Sequence, residues 1–269
     1  PTPLQAGRRA QPVNVGFFLW ETTKAPQLHR QALAFADEIW TPSNFVRDIY
    51  RDLAPDRVKV VNIGKYIEVP SYIPPYPRAN LGLGPQHFTF LAIADFDSSI
   101  RRKNPLPVVQ AFRQAFAADP DVRLVLKIRH IDPGHWSNTR NYWDRVVAAI
   151  AGDPRIQLVT GDLPEAEYWG LLQAADCYVT LHRSEGFGYG AAHAMALQVP
   201  VIATDFSGTR DFCTAQTALL VAGRQTPVRV GDMPFHEDLG HWAEPDVDAA
   251  AQRMAQVRAG GAAVQARVQ

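Results

Sequence analysis

Cysteine is almost missing from this chain: two residues in 269, Cys177 and Cys213, each alone in its neighbourhood. So few thiols exclude a disulfide framework or a zinc knuckle and make a reducing, cytoplasmic setting the expectation. A surplus of one charge is lacking too. Lys and Arg number 27 and Asp and Glu number 27, so no basic surface points to nucleic acid or anionic lipid. No apolar run approaches a membrane span. The chain opens on Pro1, Thr2 and Pro3 without a methionine or a signal peptide, so a processed protein or a piece of a longer one is expected. What is present is an ordinary globular balance, 46% hydrophobic and 20% charged, at a length that allows one or two cores.

The first dozen residues are polar and proline-bearing and read as extended. Residues 13–20 read as a buried strand, 27–36 as a helix and 38–40 as a second strand. Ser43 suits the N-cap of a helix over 44–52, and 58–61 gives a third strand. Three short strands and two helices are thin for a self-standing α/β unit. Residues 1–70 are therefore read as the end of an N-terminal domain whose front is absent. Five prolines between Val69 and Pro85 mark a linker, taken as 71–86. From 87 to 240 the pattern is regular. Strands are expected at 88–94, 122–128, 156–159, 177–181, 199–203 and 218–221. Between them come a helix opened by Asn104 and Pro105, and helices at 143–151, 165–174 and 191–198. Such alternation predicts a parallel sheet wound on both faces. Residues 224–240 read as a loop. The segment 241–269 reads as an amphipathic helix, with Val247, Ala250, Met254 and Val257 on one side, and a frayed end.

Three stretches carry polar chemistry at carboxyl ends of expected strands. Ser184-Glu-Gly-Phe-Gly-Tyr-Gly190 sets Gly186, Gly188 and Gly190 on alternate positions behind an acid, just before the alanine-rich helix. A glycine loop feeding a helix frees backbone N–H groups for an anion, and the helix dipole favours negative charge there. Taken alone, it could equally be a tight turn that needs small residues. Arg101, Arg102 and Lys103 form a cation cluster suited to a diphosphate, or an exposed basic turn. Ser207, Gly208 and Thr209 form a third loop whose amides could face phosphate oxygens.

Together these residues resemble a family. Glu185-Gly-Phe-Gly, the Ala-Met-Ala helix, Pro200-Val-Ile-Ala-Thr204 and Ser207-Gly208 look like the signature of family-4 retaining glycosyltransferases with the GT-B fold. Arg102-Lys103-Asn104-Pro105 looks like that family's donor-diphosphate segment. Trp20-Glu21 and Asp37-Glu-Ile-Trp-Thr-Pro-Ser43 are similar to the last third of its N-terminal domain. Trp242-Ala-Glu-Pro-Asp-Val247 is similar to a bacterial subgroup that makes surface polysaccharides. The resemblance runs from about 13 to 257 and is most specific between 176 and 212. It implies an α/β protein of GT-B type, with a complete C-terminal Rossmann-like domain and a partial N-terminal one. It further implies a retaining hexosyltransferase that moves a sugar from a nucleotide diphosphate sugar to a hydroxyl of a saccharide or glycoconjugate acceptor, without cofactor or metal. Peripheral membrane association would come through the absent N-terminal part. Lys103 with Arg102 would neutralise the diphosphate, Glu185 would hold donor-sugar hydroxyls, and Gly186, Phe187, Gly188, Ser207, Gly208 and Thr209 would line the phosphate cradle.

Some positions depart from the family pattern. A second glutamate is usual eight residues after Glu185, and here His193 stands there. Eight residues are about two helical turns, so His193 is expected either to face the ligand or to pack as a helical histidine. The arginine usual six positions before Lys103 is replaced by Asp97. On the acceptor side Glu21 follows a strand where a histidine is often found. It is read as a polar group facing the reaction centre or as a boundary residue; His29 and His182 are not assigned to catalysis. Two other readings remain open from sequence: a nucleotide-sugar-binding module that has lost catalysis, and a sugar-nucleotide epimerase on the same fold.

Overall fold

The protein is described from a computed structural model covering residues 13–131, 137–233 and 237–260. The first dozen residues and the tail beyond Gly260 lie outside these. The chain runs β1 (Val15–Phe17), α1 (His29–Leu33), β2 (Glu38–Thr41), α2 (Asn44–Leu53), β3 (Lys59–Asn62), β4 (Phe88–Asp95), α3 (Ile100–Lys103) and α4 (Pro105–Ala115). It continues β5 (Val122–Arg129), α5 (Ser137–Ile150), β6 (Ile156–Thr160), α6 (Glu165–Gln173), β7 (Cys177–Thr180) and α7 (Tyr189–Ala196). Then come β8 (Val201–Thr204), β9 (Leu219–Val221), β10 (Gly223–Pro227), β11 (His241–Pro245) and α8 (Val247–Arg258).

Six strands form one parallel sheet in the order β6-β5-β4-β7-β8-β9, the 3-2-1-4-5-6 order of a dinucleotide-binding fold. Both faces are covered, and strand alternation sorts the side chains between them. Phe90, Ala92 and Ala94 of β4 join the core shared with α4, α5 and α8. Leu91 joins the opposite core, with Leu171, Leu172, Ala191 and Ala194 of α6 and α7. The predicted stripe of α4 is inside, with Val108, Val109, Phe112 and Phe116 all buried. Pro105 opens that helix at its first turn, where its missing N–H costs nothing.

The strands β1-β2-β3 make a second, smaller parallel sheet. Its core, Leu33, Ile39, Val46, Ile49 and Tyr50, packs with Met233, Leu239 and Trp242 from the far end of the chain. Ser43 ties the parts together. Its hydroxyl accepts from Val46 N, capping α2 as expected, and donates to Gly186 O at 2.6 Å. Asp211 adds a second tie, accepting from Asn44 N at 2.8 Å and from Asn62 Nδ2 at 3.1 Å.

The structure differs from the sequence reading in several stretches. The strand expected to be buried over 13–20 is only Val15–Phe17, and both Val15 and Phe17 are exposed because β1 lies at the edge of its sheet. The helix expected over 143–151 begins already at Ser137. The supposed loop 224–240 begins with β10, which pairs antiparallel with β11, so residues 241–245 are strand rather than the approach to a helix. Arg224, Gln225 and Thr226 carry no apolar alternation, and the pairing is anchored instead by buried Trp242 and Ala243 of the partner strand. A one-turn helix, α3, also precedes Asn104, which adopts a left-handed φ of 55° and separates α3 from α4.

Candidate functional site

Strand order reverses between β4 and β7, the position at which doubly wound sheets hold ligands, and one loop extends beyond the carboxyl end of each strand. The α3 turn comes from the first loop and residues 181–188 from the second. They meet in one ion cluster. Lys103 Nζ lies 2.7 Å from Glu185 Oε1, and Arg102 Nη1 lies 3.2 Å from Glu185 Oε2. Burial pushes the Glu185 carboxyl up, but the charges of Lys103 and Arg102 outweigh it and hold the group down at about 2. Glu185 is therefore an ionised carboxylate, with both oxygens paired and a lone pair on each left for a hydroxyl donor.

Arg102 sits deeper than expected. It is 1% exposed. Nη1 also donates to Ser184 O at 2.7 Å, and Nη2 donates to Ser98 O at 2.9 Å and Ser98 Oγ at 2.6 Å. Glu21 Oε1 completes its surroundings, 3.2 Å from Nη2. From sequence Arg102 was placed on a diphosphate beside Lys103. In this structure its Nη1 and Nη2 groups are engaged inside the protein, where they join Glu185 to Glu21 of the small-sheet part, and Nε is buried without a hydrogen-bond partner among the described residues. A buried cation with two carboxylates is costly to disrupt, because either partner left behind is an unpaired buried charge. Lys103, with 23% of its side chain exposed, is the cation of the pair that reaches open space.

The glycine loop is built by close approach. Gly188, at a φ of 98°, is the N-cap residue of α7. A Cβ on Gly208 would run into the backbone of Gly186 and Glu185, so the Ser207 loop lies flat on the Glu185 loop. Glu185 N donates to Ser207 Oγ and Gly208 N donates to Glu185 O, both at 2.8 Å. The Gly208 amide thus locks the two loops together rather than facing outward. Thr209 is buried, its hydroxyl 3.3 Å from His182 Nε2, and Phe187 packs on Phe212 and Tyr189 at 5.2 Å. His182 is fully buried between Thr180 Oγ1 at 3.1 Å and Phe206 O at 3.2 Å, and burial lowers its pKa.

His193 is not brought to Glu185. The helix α7 starts only at Tyr189, so Glu185 lies in the loop before it and the two-turn spacing does not apply. The imidazole turns to α6, with Nδ1 2.9 Å from Tyr168 Oη and its ring 4.6 Å from that of Trp169. Burial lowers its pKa, partly offset by Glu165. Tyr168 in turn lines a cavity of about 380 Å³ at the ends of β4, β5 and β6, together with Asp95, Lys127, Arg129 and Asp162. None of these was singled out from sequence, although a lysine inside the apolar run 122–128 was a visible signal. Lys127 is 4% exposed, its Nζ donates to Gly161 O, and burial lowers its pKa against the pull of Asp162 and Asp95. A smaller cavity of about 230 Å³ lies before Glu21, lined also by Trp20, Asp97, Ser98, Ser99 and Asp232.

Solved structures share this fold. A glycosyltransferase from Rickettsia africae superposes with a TM-score of 0.66 at 16% identity, over 94% of this chain and 63% of that one. Sucrose-phosphate synthase from Thermosynechococcus elongatus gives 0.64 at 23% identity, over 90% and 54%. The Anabaena protein HepE, solved with UDP and glucose, gives 0.65 at 15% identity, over 91% and 61%. The chain thus spans less than two thirds of the length of each. The class is an α/β protein of GT-B type. The profile of the glycosyl transferases group 1 family matches residues 88–230, more than half of the chain, and the chain belongs to that family. No curated protein matches it by sequence. Among the described residues no helix is long and apolar enough to cross a membrane.

Proposed function

We propose that this chain is the donor-binding part of a retaining hexosyltransferase that takes a nucleotide diphosphate sugar and glycosylates a hydroxyl of a saccharide or glycoconjugate acceptor, in surface polysaccharide or glycoconjugate synthesis. The observation that carries the reading is the Lys103–Glu185–Arg102 cluster at the switch point, inside the segment that matches the family. In the reaction the bond from the anomeric carbon to the diphosphate oxygen breaks, the acceptor oxygen bonds the same face of that carbon, and the acceptor hydroxyl's proton passes to the departing diphosphate. Negative charge grows on the leaving diphosphate. Lys103 Nζ, partly open and held by Glu185, is the group that neutralises it, aided by the N-terminus of α7. Glu185, kept ionised by its two cations, accepts from a donor-sugar hydroxyl and fixes the ring. The cavity beside Tyr168 takes the nucleoside end, with His193 bracing that tyrosine rather than touching the ribose. Glu21 faces the acceptor side and reports the state of the N-terminal part to Glu185 through Arg102. Residues 1–70 act as a remnant of an acceptor-side domain, and 87–240 with the helix of 241–269 as the donor-side domain.

The test is calorimetry of the chain against a panel of nucleotide diphosphate sugars led by UDP-sugars, the nucleotide seen with HepE. Saturable binding of at least one member is expected. Binding of none, by a chain shown to be folded, overturns the proposal.

A further inference from the structure

A third cavity, of about 350 Å³, is lined by Arg101 and Arg183, the sequence neighbours of the ion cluster. The α3 turn sends Arg102 and Lys103 to Glu185, while Arg101 faces this cavity. Arg183 lies on its wall as well, two residues before Glu185. The β10–β11 ribbon forms the far wall. Arg224 stands directly opposite Glu244 and Thr226 opposite Trp242, and alternate positions of a ribbon share one face. Arg229 closes the rim.

Four guanidinium groups here meet two carboxylates, Asp232 and Glu244, an excess of two positive charges in a chain whose formal net charge is zero. Two of the arginines are fixed in advance. Arg183 Nε donates to Glu244 Oε2 and its Nη1 to Arg101 O, both at 2.6 Å, and the guanidinium lies 5.2 Å from the Trp242 ring and 5.7 Å from the Tyr142 ring. Arg101 Nε lies 2.8 Å from Asp232 Oδ1. The side chains of Arg224 and Arg229 are exposed and make no hydrogen bond or ion pair with the described residues. With Asp232 and Glu244 paired to Arg101 and Arg183, the charges of Arg224 and Arg229 are in excess, and an anion in the basin offsets them. Ordered guanidinium forks at the base with free ones at the rim are the donor set a phosphate requires.

We propose that this basin binds a phosphate or pyrophosphate group of a ligand other than the sugar donor. Asp232 lines both this basin and the cavity before Glu21, so the ligand sits next to the acceptor side of the cluster. The backbone links are direct: Arg183 N donates to Arg102 O at 2.8 Å, and Ala243 N donates to Arg183 O at 2.9 Å. Filling the basin therefore bears on the segment that presents Glu185.

The basin contains neither Lys103 nor Glu185, so its test is separable from that of the donor reading. In a Lys103→Ala host, which removes any diphosphate site built on that lysine, inorganic pyrophosphate is titrated by calorimetry. In parallel, flotation is followed with phosphatidylcholine vesicles with and without phosphatidic acid. Arg224→Ala/Arg229→Ala is expected to weaken binding about tenfold or more in the arm that matches the natural source, soluble or lipid. Arg224→Lys/Arg229→Lys, which keeps the charge but not the fork, recovers part of it. No arginine-dependent binding in either arm overturns the proposal. If Lys103→Ala leaves nucleotide-sugar affinity unchanged, the donor reading fails and this one stands.

Discussion

Glu185 is the residue on which the account turns, and its environment makes a pH prediction. Its carboxyl is held at about 2 against an ordinary value of 4.5, so the unfolded chain binds the extra proton first as pH falls. The stability Glu185 contributes is complete above about pH 4.5 and is lost as pH drops toward 2. Glu185→Gln should flatten that limb of the stability–pH curve, measured by urea unfolding at a series of pH values; an unchanged slope would remove the ion cluster as its cause. His182 works at a higher pH with the same sign. Buried and neutral, it has a lowered pKa, so its contribution begins to fall below the ordinary 6.5. The burial of Arg102 was not legible in the sequence. A charged side chain reads as exposed, and its carboxylate partners stand 83 positions downstream at Glu185 and in the small-sheet part at Glu21. Only the fold brings them together.

At the scale of elements, the loops after β7 and β8 act as one unit. Gly208→Ala would force the Ser207 loop off the Glu185 loop. The expected cost is about 1–3 kcal/mol of stability, with loss of nucleotide-sugar binding. Differential scanning fluorimetry with calorimetry checks both; wild-type values in both would show that the loops are not in register as described. Ser43→Ala loses the α2 cap and the bond to Gly186, a destabilisation of about 1–2 kcal/mol, readable in urea unfolding. The β4–β9 sheet was legible because each strand is a short apolar run between helical periods. The β10–β11 ribbon was not: residues 223–227 hold no apolar alternation, and their pairing rests on contacts made by Trp242 and Ala243. The orientation of His193 was not legible for a related reason. Spacing was counted along a helix that begins four residues after Glu185.

At the scale of the whole molecule, the six-stranded and three-stranded sheets are joined by the apolar packing on Met233, Leu239 and Trp242 and by polar ties, Glu21–Arg102, Ser43–Gly186 and Asn44–Asp211 among them. These three ties end on or next to the Arg102, Glu185 and Ser207 loops, so a change in the small-sheet part can be felt at Glu185. Glu21→Gln should therefore weaken nucleotide-sugar binding modestly even though Glu21 lies across the cleft, whereas Glu38→Gln, whose exposed partner is Lys59, should leave it unchanged. The central claim is that Lys103, braced by Glu185, holds the diphosphate of a nucleotide sugar. Calorimetric titration of wild type and Lys103→Ala with the best-binding nucleotide diphosphate sugar, alongside the matching nucleoside, tests it most directly. The account predicts that Lys103→Ala weakens the diphosphate sugar about tenfold or more while the nucleoside binds as before. Equal affinity of wild type and variant for the diphosphate sugar would contradict it.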